Sequence, residues 1–128
     1  MGDRAAARAQ RVGLTIDTGH LLLGGADPTE MLRRFRGRVA HVHLKDVRLG
    51  VLRQAIADGA DMLECWRRHV FCELGAGDVE LEAFATELAY YDGWIVVEQD
   101  WVPAEGEEAA QVAAQARNRR WLRERLGA

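Results

Sequence analysis

At 128 residues the chain is long enough for one domain with a modest core. Its hydrophobic fraction of 48% and charged fraction of 29% are those of an ordinary globular protein. A formal net charge of -3, from 17 basic and 20 acidic residues, argues against a general nucleic-acid binder, and no apolar run approaches the roughly 18 residues of a membrane span.

The opening stretch MGDRAAARAQR lacks the apolar core of a signal peptide, so a cytoplasmic location is the expectation. Within it RAAARAQR is rich in helix formers and carries no stop signal. Residues 1–11 therefore read as a helix remnant or tail, set apart from a single domain over 12–128. VGLTIDT reads as a short apolar strand ending on a carboxylate. In GADPTEMLRRF, Asp27 is placed to cap a helix with Pro28 at its first position, and Met31, Leu32 and Phe35 form its apolar stripe. RVAHVHLKD is the second expected strand.

VLRQAIADGADMLECWRRH reads as one helix, or two short ones divided at Gly59. HVFCEL is the third expected strand, closed by the turn at Gly75–Gly77. Asp78 is placed to cap VELEAFATELAYY, whose Leu81, Phe84, Ala85 and Leu88 share a face. Asp92-Gly93 breaks the chain before WIVVEQD, the fourth strand. Pro103 and an acidic turn open a last helix reaching about Leu126. Glu105, Glu107 and Glu108 come first in it, and Arg117, Arg119, Arg120, Arg123 and Arg125 come last. That polarity suits the helix dipole and needs no nucleic acid to explain it. Cys65 and Cys72 have neither CxxC spacing nor a disulfide framework and are expected to be reduced and structural.

Four strand–helix alternations with short connections predict an α/β fold of parallel strands joined by right-handed crossovers. Residues i, i+2 and i+4 of a strand share a face. His41, His43 and Lys45 therefore line up on one side of VAHVHLKD, with Ala40, Val42 and Leu44 on the other. Three strands end in polar groups: Asp17, then His43 with Lys45, then Glu98. Parallel α/β folds bind ligands at the carboxyl ends of their strands. Two carboxylates and an imidazole at one such end form an oxygen and nitrogen shell for Mn²⁺, Co²⁺, Mg²⁺ or Zn²⁺. The lack of cysteine in the set argues against a structural zinc. Singly, each residue has an ordinary explanation: a helix cap, a core histidine, a glutamate paired with arginine. Together they favour a site, and spacing alone leaves both explanations open.

The stretches VGLTIDTGH, HVHLKDVR, LGAGDVELEAF and GWIVVEQD, in this order, resemble the sugar phosphate isomerase/epimerase superfamily of xylose isomerase-like TIM barrels. Within it the inosose dehydratase subgroup is the nearest in pattern, since VLRQAIADGADMLECWRRHVFCELGAGDVE resembles its longer connection. The resemblance runs from Val12 to about Val102. It implies the C-terminal half of a (β/α)8 barrel, with four β-α units. It also implies that Asp17, His43 and Glu98 ligate a divalent metal, Mn²⁺ or Co²⁺ before Mg²⁺ or Zn²⁺. By the same carry-over His20 and Arg48 contact substrate oxygens. Glu98 takes part in proton transfer, Lys45 orients substrate or leaving group, and His41 lies one layer deeper.

The implied chemistry is proton removal beside the carbonyl of a keto-inositol or ketose, giving a metal-bound enediolate. Loss of the β-hydroxyl then makes the protein a dehydratase, and return of the proton makes it an isomerase or epimerase. The family's fourth ligand, a glutamate on an earlier strand, has no counterpart in this sequence. Three expectations follow. The chain is a truncated product that is inactive alone, or a half-barrel pairing with itself or with an N-terminal half, or a non-catalytic binding module. A zinc-dependent endonuclease-IV type of activity on the same barrel would need more than four histidines and a basic face.

Overall fold

The computed structural model describes residues 12–127, so the helix expected within 1–11 lies outside the described residues. The elements run β1 (Leu14–Asp17), α1 (Thr18–Leu23), α2 (Pro28–Arg34), β2 (Val39–Leu44) and β3 (Asp46–Val47). They continue with α3 (Leu49–Ala57), α4 (Met62–Arg67), β4 (Phe71–Cys72), α5 (Leu81–Glu87), β5 (Trp94–Val97) and α6 (Glu108–Leu126). Asp27 caps α2 by accepting the Thr29 and Glu30 N–H groups, with Pro28 at the first position as its sequence predicts. The expected division at Gly59 is present between α3 and α4, and Gly59 has φ of 69°, a left-handed conformation that glycine adopts at no steric cost.

A three-stranded parallel sheet in the order β1-β2-β5 organises the fold. Its register sets Asp17 beside His43 and His43 beside Val96, and the Glu98 N–H donates to the Leu44 carbonyl at 3.0 Å. The strands therefore end nearly level, which gathers their last polar residues. Alternation does the rest. Ile16, Val42 and Leu44 point into the main core, where they meet Leu32 of α2 and Phe84 of α5. Burying a side chain such as Phe84 or Leu44 contributes roughly 1.5–3 kcal/mol. On the other face His41 and His43 are half-buried, and Thr15 and Trp94, level with His41, are exposed, Trp94 at 79%.

The parallel α/β fold covering part of a barrel is as the sequence implies, but its third expected strand leaves the sheet. Only Phe71 and Cys72 of HVFCEL are extended, and they pair antiparallel with Asp46 and Val47. The cause is Asp46. Its carboxylate is fully buried and accepts the N–H groups of Val47, Gly75, Gly77 and Val79. The loop after HVFCEL is thereby wrapped around the end of HVHLKD, and β5 takes the place beside β2. A Cβ on Gly77 would sit 2.3 Å from the Asp46 Oδ1, so this wrapping needs glycine there. The β3–β4 pair forms a small lobe with α3 and α4 over a second core of Val47, Ala55, Cys65, Val70 and Phe71.

One helix start also differs from expectation. Asp78 does not cap the helix that follows it; its carboxylate accepts the Leu49 N–H at 2.6 Å, at the start of α3, and α5 begins without a side-chain cap. TGHLLL forms a further short helix, α1, capped by Asp17. Cys65 and Cys72 are free and buried, and burial with the nearby Asp46 charge pushes the Cys72 thiol up to about 12, so it stays protonated. Among the described residues no helix is long and apolar enough to cross a membrane.

Candidate metal centre

Asp17 divides its two oxygens. Oδ1 accepts the His20 N–H at 2.9 Å and so caps α1. Oδ2 turns to the strand ends, 3.7 Å from His43 Nδ1 and 3.6 Å from Lys45 Nζ. Glu98, the first residue beyond β5, brings Oε1 to 3.2 Å from the same His43 nitrogen. Donor atoms of Asp17, His43 and Glu98 all lie within 4.8 Å of one another. Ligands about 2.1 Å from a divalent cation are about 3 Å apart when adjacent, so this donor set fits one. All three residues are half-buried at an open sheet end.

Lys45 is fixed along its whole length. Thr18 Oγ1 accepts the Lys45 N–H at 2.9 Å and donates to the Lys45 carbonyl at 2.7 Å, fastening the end of β2 to α1. Its stem passes so close to Gly19 that a Cβ there would lie 2.8 Å from Lys45 Cγ. An ammonium has three N–H donors and no acceptor. Lys45 Nζ places them on Asp100 at 2.8 Å, Glu98 Oε2 at 3.0 Å and His20 Nε2 at 3.2 Å. His20 Nε2 must then accept, which assigns the neutral ring its proton on Nδ1. Burial of the Lys45 side chain, 1% exposed, works against its charge, but Asp100, Glu98 and Asp17 outweigh it and its pKa is raised. Lys45 in turn holds the Glu98 carboxyl below the usual range, with His43 assisting. The Phe71 ring lies beneath both cationic and imidazole groups, 5.0 Å from Lys45 Nζ and 5.6 Å from the His20 ring.

Asp17, His20, His43, Lys45 and Glu98 thus converge. Arg48 makes its contacts elsewhere. Its guanidinium is 3.7 Å from Glu73 and 3.5 Å from the His69 carbonyl, on a cavity of about 540 Å³ also lined by Arg67, Arg68 and residues 102–104. His41 is edge-on to His43 with ring centroids 4.9 Å apart, and its buried Nε2 has no hydrogen-bond partner. Sequence reasoning passed over Asp100. Its signal was present: in extended chain it falls on the same side as Glu98, two residues on. Thr18 and Asp46 carry no such signal, because all but one of their partners are backbone groups distant in sequence.

Residues 4–125 match the family model described as the xylose isomerase-like TIM barrel. Similar proteins include the inosose dehydratases of Geobacillus kaustophilus, 40% identical over 95 residues, and of Clostridium tetani, 37% identical over 95 residues. These alignments cover 73% of this chain and 31% and 32% of those proteins. The rhizopine catabolism protein MocC of Rhizobium meliloti is 38% identical over 96 residues, covering 73% of this chain and 30% of its own. The chain therefore spans about a third of the length of these relatives. Among solved structures, the probable 3-DHS dehydratase involved in petrobactin synthesis from Bacillus anthracis superposes with a TM-score of 0.56 at 18% identity. That match covers 84% of this chain and 37% of the other, and the likeness is one of fold.

Proposed function

The chain belongs to the xylose isomerase-like TIM barrel family, and from that premise we propose that it carries the metal-binding end of an inosose dehydratase-like lyase. The observation supporting this is the convergence of Asp17, His43 and Glu98 from three different strand ends onto one point. In this reading these three hold a divalent cation, with Mn²⁺ or Co²⁺ suited to the carboxylate and imidazole donors. The ion supplies Lewis-acid polarisation of a ketone, making the neighbouring proton easier to remove.

The remaining roles belong to this chain's own side chains. Glu98, kept ionised by Lys45, is placed to share in proton transfer at the carbon beside the ketone. Lys45 orients a substrate or departing hydroxyl by giving up one of its three N–H contacts to Asp100, Glu98 and His20, and His20 presents its Nδ1–H to a substrate oxygen. Arg48, on the cavity it shares with Arg67 and Arg68, binds outlying oxygens of the same polyhydroxylated ring. A keto-inositol dehydration follows if the β-hydroxyl leaves. A ketose isomerase or epimerase follows if the proton returns instead. Catalysis in this reading needs polypeptide beyond these residues, since the chain spans about a third of its relatives. The exposed Thr15 and Trp94 row favours a covering partner, either a second copy or a separate barrel segment.

Calorimetric titration of the metal-stripped chain with Mn²⁺, beside a His43→Ala variant, tests the centre. Saturable binding lost in the variant supports the reading. No binding by a folded wild-type chain overturns a centre assembled from these three ligands. Screening keto-inositols against ketoses, with product analysis, then separates dehydration from isomerisation.

A further inference from the structure

Lys45 raises a difficulty for any cation at this site. Its ammonium lies 3.0 Å from Glu98 Oε2 and 3.6 Å from Asp17 Oδ2, so it already occupies the field of two metal ligands. Like charges packed this closely repel strongly in a partly buried setting. Something must hold the ammonium to one side. Asp100 makes the shortest of its contacts, 2.8 Å, and stands outside the three-residue donor group.

We infer that Asp100 is the positioning residue that anchors the Lys45 ammonium on the Glu98 Oε2 side of the cluster, away from Glu98 Oε1 and Asp17 Oδ2, so that a lysine and a divalent cation share one cluster. The inference rests on the metal reading above and adds a role for a residue outside the ligand set. Charge balance supports it. Asp17, Glu98 and Asp100 contribute three negative charges, and Lys45 with a divalent ion contributes three positive ones. Without Asp100 the loaded cluster carries a net positive charge. The ammonium would also lose one of its three acceptors. It would then shift from its contact with Glu98 Oε2 further toward Asp17 Oδ2, where an entering cation must displace it.

Mn²⁺ affinity of the full chain, measured by calorimetry across a double-mutant cycle, tests this. Asp100→Asn is expected to weaken binding about tenfold in the wild-type background, and about twofold or less in Lys45→Met, as coupled neighbours behave. Asp100→Glu, which keeps the anion, is expected to restore binding to within about threefold of wild type. A merely structural Asp100 would lower the melting temperature without any Lys45-dependent change in affinity. Equal weakening in both backgrounds, or none in either, overturns the inference while leaving the metal centre standing. Failure of the folded wild-type chain to bind Mn²⁺ overturns both.

Discussion

Asp46 in the small lobe and Asp17 at the sheet end are both aspartates following or closing a strand, but their surroundings differ in kind. Asp46 is fully buried, and four backbone N–H groups satisfy it. Asp17, Glu98 and Asp100 stand half-buried around one ammonium, and most of their oxygens face side chains rather than backbone. A buried charge answered by backbone donors organises a loop. Ion pairs of half-exposed carboxylates gain little for folding, since solvent screens much of what Lys45 supplies. The contrast separates a carboxylate that builds the fold from carboxylates to which the proposed function assigns a cation.

Removing Asp46 is the strongest way to break that contrast. Asn at position 46 keeps one acceptor oxygen and turns an NH₂ toward a ring of N–H donors. Asp46→Asn is expected to lower unfolding stability by on the order of 3–5 kcal/mol, read by urea denaturation. A loss under about 1 kcal/mol would show that the loop closes without it. Gly77→Ala presses on the same carboxylate from the other side, since its Cβ would also lie 2.7 Å from the Val47 carbonyl. Its expected cost is smaller, about 1–3 kcal/mol by the same measurement, because the loop can shift outward.

Asp17→Asn should behave in the opposite way. Asn keeps an oxygen to cap α1, and the substitution removes one member of a crowded acidic group. Stability is expected to change by less than about 0.5 kcal/mol, while calorimetry shows Mn²⁺ affinity falling at least about tenfold. A large loss of stability with intact Mn²⁺ binding would reverse the assignment of roles between the two regions.

The same contrast explains what could be read from the sequence. The period-two alternation of VAHVHLKD gave the faces of β2, and the polar residues closing LTID, VAHVHLK and IVVE marked the site, because strand geometry is local. The departure of HVFCEL from the sheet was hidden. It follows from hydrogen bonds between Asp46 and a loop 29 to 33 residues later, and a short apolar run looks the same in either place. Asp78 misled for a similar reason: an aspartate before an amphipathic run reads as that run's cap, while its oxygen caps α3, 29 residues earlier. Asp100 was legible by alternation with Glu98, whereas its partnership with Lys45 depends on where two separate strands end.

The smallest expected effect is a pH dependence that sets two carboxylates of the small lobe against each other. Glu73 follows β4 and is hydrogen-bonded by Arg117, with Arg48 3.7 Å away. Burial works against its charge, but Arg117, its own backbone N–H and Arg48 prevail, and its pKa is lowered. A lowered folded pKa contributes stability above the unfolded value, about 4.3, that is lost as pH falls through the folded value. Asp46 has the opposite sign. Burial outweighs its four N–H donors and raises its pKa, so its contribution is present below about 3.9 and is lost as pH rises through the folded value. Acidification therefore withdraws what Glu73 supplies and restores what Asp46 costs. Glu73→Gln removes only the first of these. Its cost is expected to be under about 1 kcal/mol near pH 7, since Arg117 is largely exposed, and to shrink as pH falls below the unfolded value of about 4.3 and through the lowered folded one. Denaturant unfolding of both proteins at several pH values decides it. A cost that stays constant across the range would mean Glu73 acts through packing, and the charge contrast within the lobe would be lost.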